Sequence, residues 1–382
     1  EDGEGPWVRL TLLPEGYATE LQLHPTSLLP SELSVPRRKG IQRLEFFDWR
    51  TRRGFAWPYE IRIHGPKGRA TILRTDEVRF EPSMHMGAEY ERPSALRDQT
   101  FFANPMGAAP PLRRTASGHI LVRPLLDGRE VGWFLLDTGT GVNCLDPTVL
   151  DRIPDFLKSG EDGRREVSIV GLGGSVQGEL HAGGSLELGA MRAEALEWVT
   201  LDLAPLLEVV GVPLAGVLGG DLFERAVVDI DLSAQTIALH DPEAFDGSRL
   251  PWRALRFDGP TPCIPCAFAP DQEGWFRLDT GSDDTVTFHA PWVKKLGMVR
   301  RARNLVQIRL RGIGGEIQAV QGRIAWFEML GMRIPSPRVT LVEQATGPLA
   351  NPDLVGNLGV GFLTGQRLIL DFPHHRVTLI PR

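Results

Sequence analysis

Apolar and polar residues alternate along most of this chain, in short stretches that glycine and proline separate. Two of these stretches, HILVRPLLDGREVGWFLLD at 119–137 and REVSIVGLGGSVQGEL at 165–180, each return through a turn. The Asp-Gly pair of the first and the glycine-rich tip of the second predict two β-hairpins. Short helices are expected at PTVLDRIPDFLKS, GDLFERA and APWVKKLG. The pattern therefore predicts a mainly β fold.

The second half of the chain repeats the first in four blocks that keep their order. GWFLLDTGTGVN at 132–143 recurs as GWFRLDTGSDDT at 274–285, an offset of 274 − 132 = 142. The other three pairs are VGLGGSVQ with RGIGGEIQ, AGVLGGDLF with VGNLGVGFL, and VVDIDLSAQTIAL with LILDFPHHRVTLI. Ordered blocks at a nearly constant offset indicate an internal duplication. Two similar β units packed with approximate twofold symmetry bring equivalent residues together near the axis.

The duplication sets the domain boundaries. We expect a β-rich accessory or pro-like domain with a linker at 1–115, repeat one at 116–242, a linker at 243–257 and repeat two at 258–382. In the first segment, WVRLTLLP, IQRLEFFDW, YEIRIHGP and RATILRTDEVRF alternate in polarity and predict strands. Between Arg37 and Arg79 there are 12 basic and 5 acidic residues. That excess indicates either a solvated β surface or an inhibitory or substrate-recruiting domain whose basic face meets an acidic cleft.

The bulk composition excludes some classes of partner. Apolar residues make up 42% of the 382 residues, and the net charge of −6 is spread over both signs. These values are ordinary for a soluble globular protein, and nothing in them suggests a nucleic-acid surface. The most apolar run, at 209–220, is too short and glycine-broken to span a bilayer. The start EDGEGP indicates that a signal peptide has been removed or the chain trimmed, and we expect an extracytoplasmic location, periplasmic or secreted.

No cofactor or metal is expected from the cysteines, histidines or glycine motifs. The three cysteines are Cys144, Cys263 and Cys266; a single CxxC pair is a weak zinc signal, and it favours packing or a local disulfide. The histidines at 64, 85, 181, 240, 289, 374 and 375 lack metal-ligand spacing and are interpreted as non-catalytic. Returning strands follow the GxGG segments, which argues against phosphate or dinucleotide binding.

Asp137 follows the apolar run Phe134, Leu135 and Leu136, where a buried strand ends. Burying a carboxylate costs several kcal/mol (about 3–5) unless it is paired. Taken alone, Asp-Thr-Gly is also a plausible turn, but its recurrence at Asp279 makes a coincidental turn untenable. Twofold packing places the two carboxyl groups together, where they share one proton. The ionised group then takes a proton from water, and the protonated group polarises a carbonyl oxygen.

Three pairs of flanking residues suit this task. They are Thr138 and Thr280, Gly139 and Gly281, and Thr140 and Ser282. The first pair is expected to hydrogen-bond across the interface of the repeats. The glycines allow backbone N–H groups to approach the carboxylates closely, and the last pair supplies hydroxyls suited to orienting the outer carboxylate oxygens.

These motifs resemble the pepsin/retropepsin superfamily of aspartic peptidases. The resemblance is carried by the two DTG[TS] motifs, the blocks VLGG at 217–220 and NLGV at 357–360, and the hairpin tips GLGG and GIGG. It covers about 265 of the 382 residues. Both repeats carry a glycine-rich tip and neither tip has a tyrosine, so the chain is most similar to a single-chain, fused retropepsin-like enzyme.

The resemblance implies two retropepsin-like β-barrel lobes of six to eight strands each, in pseudo-twofold arrangement. It implies an aspartic endopeptidase, active as a monomer on a peptide or protein substrate, with Asp137 and Asp279 as the catalytic pair. The flaps expected to close over an extended substrate contain Gly171, Gly173, Gly174, Gly312, Gly314 and Gly315. Asp283 and Asp284 match family acids near the substrate.

The chain departs from the family pattern in two places. Gly141 and Val142 stand in repeat one where repeat two has Asp283 and Asp284, so an asymmetric cleft is expected. Val360 and Gly220 replace the arginine that follows the apolar-glycine motif in the retroviral enzymes.

Two other functions remain open from the sequence. One is a catalytically inactive peptide-binding module of the same fold, although such modules usually lose an acid or a glycine and both motifs are intact. The other is a glycosidase, which needs its two acids several Å apart rather than on a shared axis.

Overall fold

The computed structural model describes residues 7–12, 17–24, 26–37, 40–52, 55–65, 70–76, 99–103, 110, 112–157, 165–344, 347–363 and 365–380. The chain is mainly β, as predicted, and its strands form several sheets. It divides into two compact units, Glu1–Tyr90 and Glu91–Arg382. Residues 104–109 of the predicted linker and His85 lie outside the described residues. Among the residues described, no helix is long and apolar enough to cross a bilayer.

The first unit contains a six-stranded antiparallel sheet in which each strand pairs with the next along the chain. Its strands are β1 (Trp7–Leu12), β2 (Tyr17–Leu23), β3 (Pro30–Arg37), β4 (Gly40–Arg52), β5 (Phe55–His64) and β6 (Ala70–Arg74). Four of them cover the alternating stretches that predicted strands. Arginines pair with acids on the same sheet, for example Arg62 with Glu60 at 2.7 Å. Such pairing fits a solvated β surface, and the inhibitory or recruiting role stays a prediction.

The second unit holds the duplicated part of the chain. In chain order its strands are β7 (Thr100–Phe102), β8 (Leu112–Arg114), β9 (Ile120–Val122), β10 (Leu125–Leu126), β11 (Arg129–Glu130), β12 (Trp133–Leu136), β13 (Asn143–Leu145), β14 (Arg165–Val170), β15 (Ser175–Ala182), β16 (Leu186–Leu188), β17 (Met191–Ala193), β18 (Glu197–Thr200), β19 (Leu214–Leu218), β20 (Val227–Asp231), β21 (Thr236–His240), β22 (Arg253–Ala254), β23 (Arg256–Asp258), β24 (Thr261–Ala269), β25 (Gln272–Leu278), β26 (Val286–Phe288), β27 (Arg303–Gly312), β28 (Gly315–Arg323), β29 (Trp326–Met329), β30 (Met332–Pro335), β31 (Arg338–Leu341), β32 (Gly356–Leu358), β33 (Arg367–Asp371) and β34 (Arg376–Ile380).

Helices are short, and most lie in the stretches where the sequence predicts them or contribute residues to the cavity described below. The α-helices are α1 (Leu207–Val210), α2 (Gly220–Phe223), α3 (Ala290–Leu296) and α4 (Met298–Arg301). Segments of 3-10 helix cover Pro147–Arg152, Ala204–Leu206, Gly347–Ala350 and Val360–Phe362.

Each repeat builds a sheet with the same strand order. Repeat one runs β14-β15-β18-β13-β19-β12-β9, and repeat two runs β27-β28-β31-β26-β32-β25-β24. Both sheets place the strand before the Asp-Thr-Gly motif parallel to the strand of the apolar-glycine block, β12 with β19 and β25 with β32. The duplication seen in the sequence is therefore a duplication of the fold.

A five-stranded sheet joins the two repeats. Its equivalent strands β20 and β33 pair antiparallel, with Asp229 opposite Ile369 at the centre of the pairing. These two residues differ by 369 − 229 = 140, the offset of the repeat in this part of the chain. An antiparallel pair centred on equivalent residues is what a twofold axis between the repeats requires. One apolar cluster extends through both repeats and includes Phe134 and Phe276.

Local chemistry explains the predicted hairpins. Asp127 and Gly128 have positive φ angles of 46° and 73°, as a two-residue hairpin turn requires, and β10 and β11 pair on either side of them. The segment before repeat one differs from a plain linker, because β7 pairs with β17 and β8 with β9.

All three cysteines are free and buried. The choice that the sequence left open, packing or a local disulfide, is therefore decided in favour of packing. Burial raises the pKa of the Cys144 and Cys263 thiols to about 12.

Candidate functional site

Each Asp-Thr-Gly motif begins where a buried strand ends. The Asp137 amide donates to the Leu218 carbonyl at 3.0 Å, and the Asp279 amide donates to the Leu358 carbonyl at 2.8 Å. Leu218 and Leu358 belong to the equivalent strands β19 and β32. Both aspartates are therefore held by the last hydrogen bond of a parallel strand pair, which fixes their backbone.

The two aspartates lie against each other, and their carboxyl groups are hydrogen-bonded. The Gly139 amide donates to Asp137 Oδ1 at 2.7 Å, and the Gly281 amide donates to Asp279 Oδ1 at 3.1 Å. A Cβ on Gly139 would stand 2.5 Å from Asp279 Oδ1, and one on Gly281 would stand 2.4 Å from Asp137 Cγ. Glycine is therefore required in both motifs because the opposite carboxyl group occupies the space of a side chain.

The threonines of the two motifs connect the repeats by four reciprocal hydrogen bonds. The Thr138 amide donates to Thr280 Oγ1 and the Thr280 amide to Thr138 Oγ1, both at 3.0 Å. Thr138 Oγ1 in turn donates to the Leu278 carbonyl at 2.6 Å, and Thr280 Oγ1 to the Leu136 carbonyl at 2.8 Å. Both threonines are buried, so each hydroxyl is both donor and acceptor inside the interface.

The carboxyl pair binds one proton more readily than isolated aspartates do. Burial, followed by the negative charge of Asp279, raises the pKa of Asp137 to about 8. Burial also raises the pKa of Asp279, whereas the hydrogen bonds from Asp137, the Gly281 amide and Asn357 and the charge of Arg277 oppose that rise. Two carboxyl groups in contact cannot both ionise, so they titrate as a unit.

The surroundings of the two carboxyl groups differ. Asn357 Nδ2 donates to Asp279 Oδ2 at 3.3 Å, and its Oδ1 lies 2.8 Å from His289 Nε2. At the equivalent position of repeat one stands Val217, which has no polar atom to offer Asp137. Asn357 is the first residue of the NLGV block, and the motif by itself does not indicate this contact.

The hydroxyls expected to orient the outer oxygens do not do so. Thr140 Oγ1 donates to the Val142 carbonyl at 3.5 Å rather than to a carboxylate. Among the described residues, the Ser282 side chain makes no hydrogen bond to Asp279; its backbone amide donates to the Asp279 carbonyl at 3.2 Å. The hydrogen bonds of the described residues therefore give no support to the expectation that these two hydroxyls orient the outer carboxylate oxygens.

Each Asp-Thr-Gly loop is also supported by the other repeat. His119 Nε2 lies 3.1 Å from the Gly281 carbonyl, and Thr261 Oγ1 donates to the Gly139 carbonyl at 3.4 Å. His119 and Thr261 are equivalent, at an offset of 261 − 119 = 142. Sequence reasoning missed His119, which the repeat aligns with a non-titratable residue. Burial lowers its pKa.

The glycine-rich hairpins cross above the aspartates. The Gly173 amide donates to the Ile313 carbonyl at 3.3 Å, and Gly171 lies so close to that carbonyl that a Cβ would meet it at 2.2 Å. Gly174, Gly314 and Gly315 have φ angles of 155°, 84° and 126°, which favour glycine. The tip glycines at 171, 173, 174, 312, 314 and 315 thus allow two tight turns to touch through their backbones.

The side chain at each tip packs against the opposite repeat. Ile313, from repeat two, packs on the apolar cluster of repeat one that includes Leu201 and Val210. Leu172, from repeat one, packs on a cluster of repeat two that includes Leu349. Arg311 beside the second tip forms an ion pair with Glu208 in α1 of repeat one. The hairpins therefore close over the site.

A cavity of about 770 Å³ lies beneath the hairpins and contains both aspartates at its base. Asp283 and Asp284 also line it. Asp283 is exposed, so solvent can compensate its charge without an arginine partner. Asp284 accepts a hydrogen bond from Thr287 Oγ1 at 2.7 Å, and its burial raises its pKa. A cavity of this volume is in the range of ligand-binding sites, and the paired carboxyl groups are placed to move a proton to and from a group bound there.

Comparison with protein-family models and with curated proteins returned no match for this chain. The argument for its function therefore depends on the geometry of the site.

Proposed function

We propose that this chain is an aspartic endopeptidase, in which Asp137 and Asp279 together activate water for the hydrolysis of a peptide bond. The observation that carries the proposal is the hydrogen-bonded carboxyl pair with its raised pKa, at the base of a cavity closed by two hairpins. A pair that keeps one proton near neutral pH offers one base and one acid at the same place.

The proposal assigns the shared proton to Asp137. The Asn357 amide and the Arg277 charge both favour the ionised form of Asp279, and neither has a counterpart in repeat one. Asp279 then accepts a proton from water while the water oxygen attacks the carbonyl carbon. Asp137 donates its proton to the carbonyl oxygen. When the C–N bond breaks, Asp279 gives the proton that it took from water to the leaving nitrogen, and a hydroxyl on the carbon returns a proton to Asp137. OH has then been added to carbon and H to nitrogen, and the pair is restored.

The fold assignment belongs to the same proposal. The shared strand order and the twofold register of β20 and β33 support two retropepsin-like lobes fused in one chain. A site completed within one chain needs no second copy, so we propose an active monomer. The crossed hairpins support an extended substrate that adds main-chain hydrogen bonds beneath them. An extracytoplasmic location rests on the sequence alone and stays a prediction.

The test is a peptide-library cleavage assay across acid and neutral pH, with Asp137→Asn and Asp279→Asn beside the wild type. Each substitution removes the shared proton site, and we expect cleavage to fall by at least about a thousandfold. Asp271→Asn is the matched control, because Asp271 is exposed in a turn outside the cavity and should leave cleavage unchanged.

The same assay separates the alternative, a peptide-binding module without activity. Binding of library peptides by the wild type without any cleavage at any pH favours that alternative and removes the peptidase proposal. Cleavage that persists in either Asn variant removes the mechanism.

A further inference from the structure

The two walls of the cavity differ at equivalent positions next to the aspartates. Leu135 and Arg277 are equivalent, two residues before each aspartate, and both line the cavity. Val217 and Asn357 are equivalent in the neighbouring parallel strands β19 and β32. Repeat one thus presents an apolar wall where repeat two presents a polar one.

The third strand of each wall continues the difference. Cys144 pairs with Val217, and Thr287 pairs with Asn357 in the same way. Both line the cavity. On three adjacent strands, the residue that lines the cavity is therefore apolar in repeat one and polar in repeat two. The difference extends over a surface and is not limited to one side chain.

A fourth position adds charge to the polar wall. Asp258 stands opposite Thr261 at the start of β24, where repeat one has Thr115 opposite His119. Its carboxylate forms an ion pair with Arg277, with the Arg277 Nε donating to Asp258 Oδ2 at 3.1 Å. The ion pair has no counterpart in repeat one.

The ion pair leaves one acceptor oxygen of the polar wall open. Arg277 is 14% exposed and is directed to Asp258 and to the Pro348 carbonyl, at 3.3 Å from its Nη1. Asp258 is 40% exposed, and the contacts found for it, including one from Asn351, all reach Oδ2. Oδ1 is left to accept from a ligand. The exposed Asp283 adds a second carboxylate to the same side of the cavity.

The equivalent positions of the apolar wall offer no carboxylate, and Glu208 of α1, which also lines the cavity, forms the ion pair with Arg311. Leu135, Cys144 and Val217 belong to one cluster with Val210 of α1, and Ile313 from the opposite hairpin packs on it. A polar side chain placed there would lose its hydrogen bonds to water without replacement.

A peptide bound across a twofold axis presents the residues on either side of the cleaved bond to equivalent walls. Successive side chains of an extended chain point to opposite faces, and the twofold axis relates those two directions. We infer that the enzyme cleaves between an apolar residue, held by repeat one, and a cationic residue, lysine or arginine, held by Asp258 of repeat two. This inference rests on the proposed function and adds its substrate class.

A long cationic side chain also fits the shape of the polar wall. Leu310 and Leu349 of repeat two also line the cavity. The methylene stem of lysine or arginine packs on such apolar surface while its charged end reaches an acceptor. A short polar residue would not cover these leucines.

The experiment compares cleavage-site preferences of the wild type with those of Arg277→Leu/Asp258→Thr, which copies repeat one. In the wild type, lysine or arginine on one side of the bond should raise kcat/KM at least about tenfold over an apolar residue of similar size. The double variant should lose that preference and cleave best between two apolar residues. Asp258→Asn, which keeps the shape, should by itself reduce the cationic preference and admit glutamate beside Arg277.

Asp271→Asn serves again as control and should keep the wild-type preference. Wild-type cleavage between two apolar residues, or next to an acidic residue, overturns the inference while the peptidase proposal stands. An unchanged preference in both Asp258 variants overturns it as well. Absence of cleavage, or cleavage that survives Asp137→Asn, is a failure of the proposed function itself.

Discussion

Repeat one and repeat two share a strand order, a parallel strand pair that ends at an aspartate, and a glycine-tipped hairpin, yet their polar residues differ. The shared features are those on which the carboxyl pair depends from both sides. They are the reciprocal hydrogen bonds of the two threonines and the glycines that leave room for the opposite carboxyl group. The features that differ, such as Asn357 and His119, touch one aspartate or one loop only. Duplication thus explains how two acids come together, and divergence explains how they become chemically distinct.

Thr138→Val and Thr280→Val break what the repeats share and carry the largest expected effect on stability. Each removes a hydroxyl that is both donor and acceptor, and so leaves one buried amide and one buried carbonyl without a partner. We expect the free energy of unfolding to fall by about 2–5 kcal/mol for either variant. Urea unfolding measures it.

Thr140→Val is the matched control, since its hydroxyl has only a 3.5 Å contact to its own loop. If Thr140→Val lowers the free energy of unfolding as much as the other two variants do, the hydrogen bonds between the repeats are not the cause of the loss.

Asn357→Val places beside Asp279 the residue that repeat one has at the equivalent position, Val217. The variant tests the chemical difference between the two aspartates. The wild type should lose activity as pH rises through about 8, where Asp137 gives up the shared proton. On the acid side, activity should fall where Asp279 is protonated, above the usual aspartate range because its pKa is raised. Removing the Asn357 hydrogen bond raises that pKa further, so the acid limb of kcat/KM should move up by about half to one pH unit.

Gln321→Leu is the control for this shift, because Gln321 lines the cavity and no hydrogen bond from it to either aspartate is found in the described part of the chain. An acid limb that stays in place in Asn357→Val would contradict the assignment of the ionised form to Asp279.

His119→Thr introduces the residue that repeat two has at the equivalent position, Thr261. Of the variants considered, it should have the smallest effect, a change in how stability depends on pH. Burial lowers the pKa of His119 in the folded state, so the folded protein binds fewer protons than the unfolded one near and below the usual histidine pKa. Stability therefore falls as pH decreases from about 7.5 to about 5, and the variant should lose less stability than the wild type over that range. Urea unfolding at the two pH values checks this; an equal loss in both proteins would contradict it.

The sequence predicted what both repeats contain. The Asp-Gly hairpin turn, the glycine tips and the Asp-Thr-Gly motifs are local signals, and their recurrence at a fixed offset implied that Asp137 and Asp279 meet. The same symmetry predicted that Thr138 and Thr280 hydrogen-bond across the interface of the repeats, and the structure contains these hydrogen bonds.

What the sequence did not predict lies where the repeats differ. Asn357, His119 and the ion pair of Arg277 with Asp258 have unlike residues at their equivalent positions, so comparison of the repeats passes over them. The crossing of Leu172 and Ile313 depends on the path of two long hairpins. The strands at Thr100–Phe102 and Leu112–Arg114 are too short to show an alternating pattern and form by pairing with distant strands.

The central claim is that Asp137 and Asp279 act as one unit, and a double-substitution cycle tests it most directly. The measurement is kcat/KM for one cleaved peptide in the wild type, Asp137→Asn, Asp279→Asn and the variant with both substitutions. Groups that act as a unit are strongly non-additive, so each single variant should lose as much activity as the double variant, at least about a thousandfold. Effects that multiply in the double variant, or a single variant that retains more than about a tenth of the wild-type rate, would contradict the account.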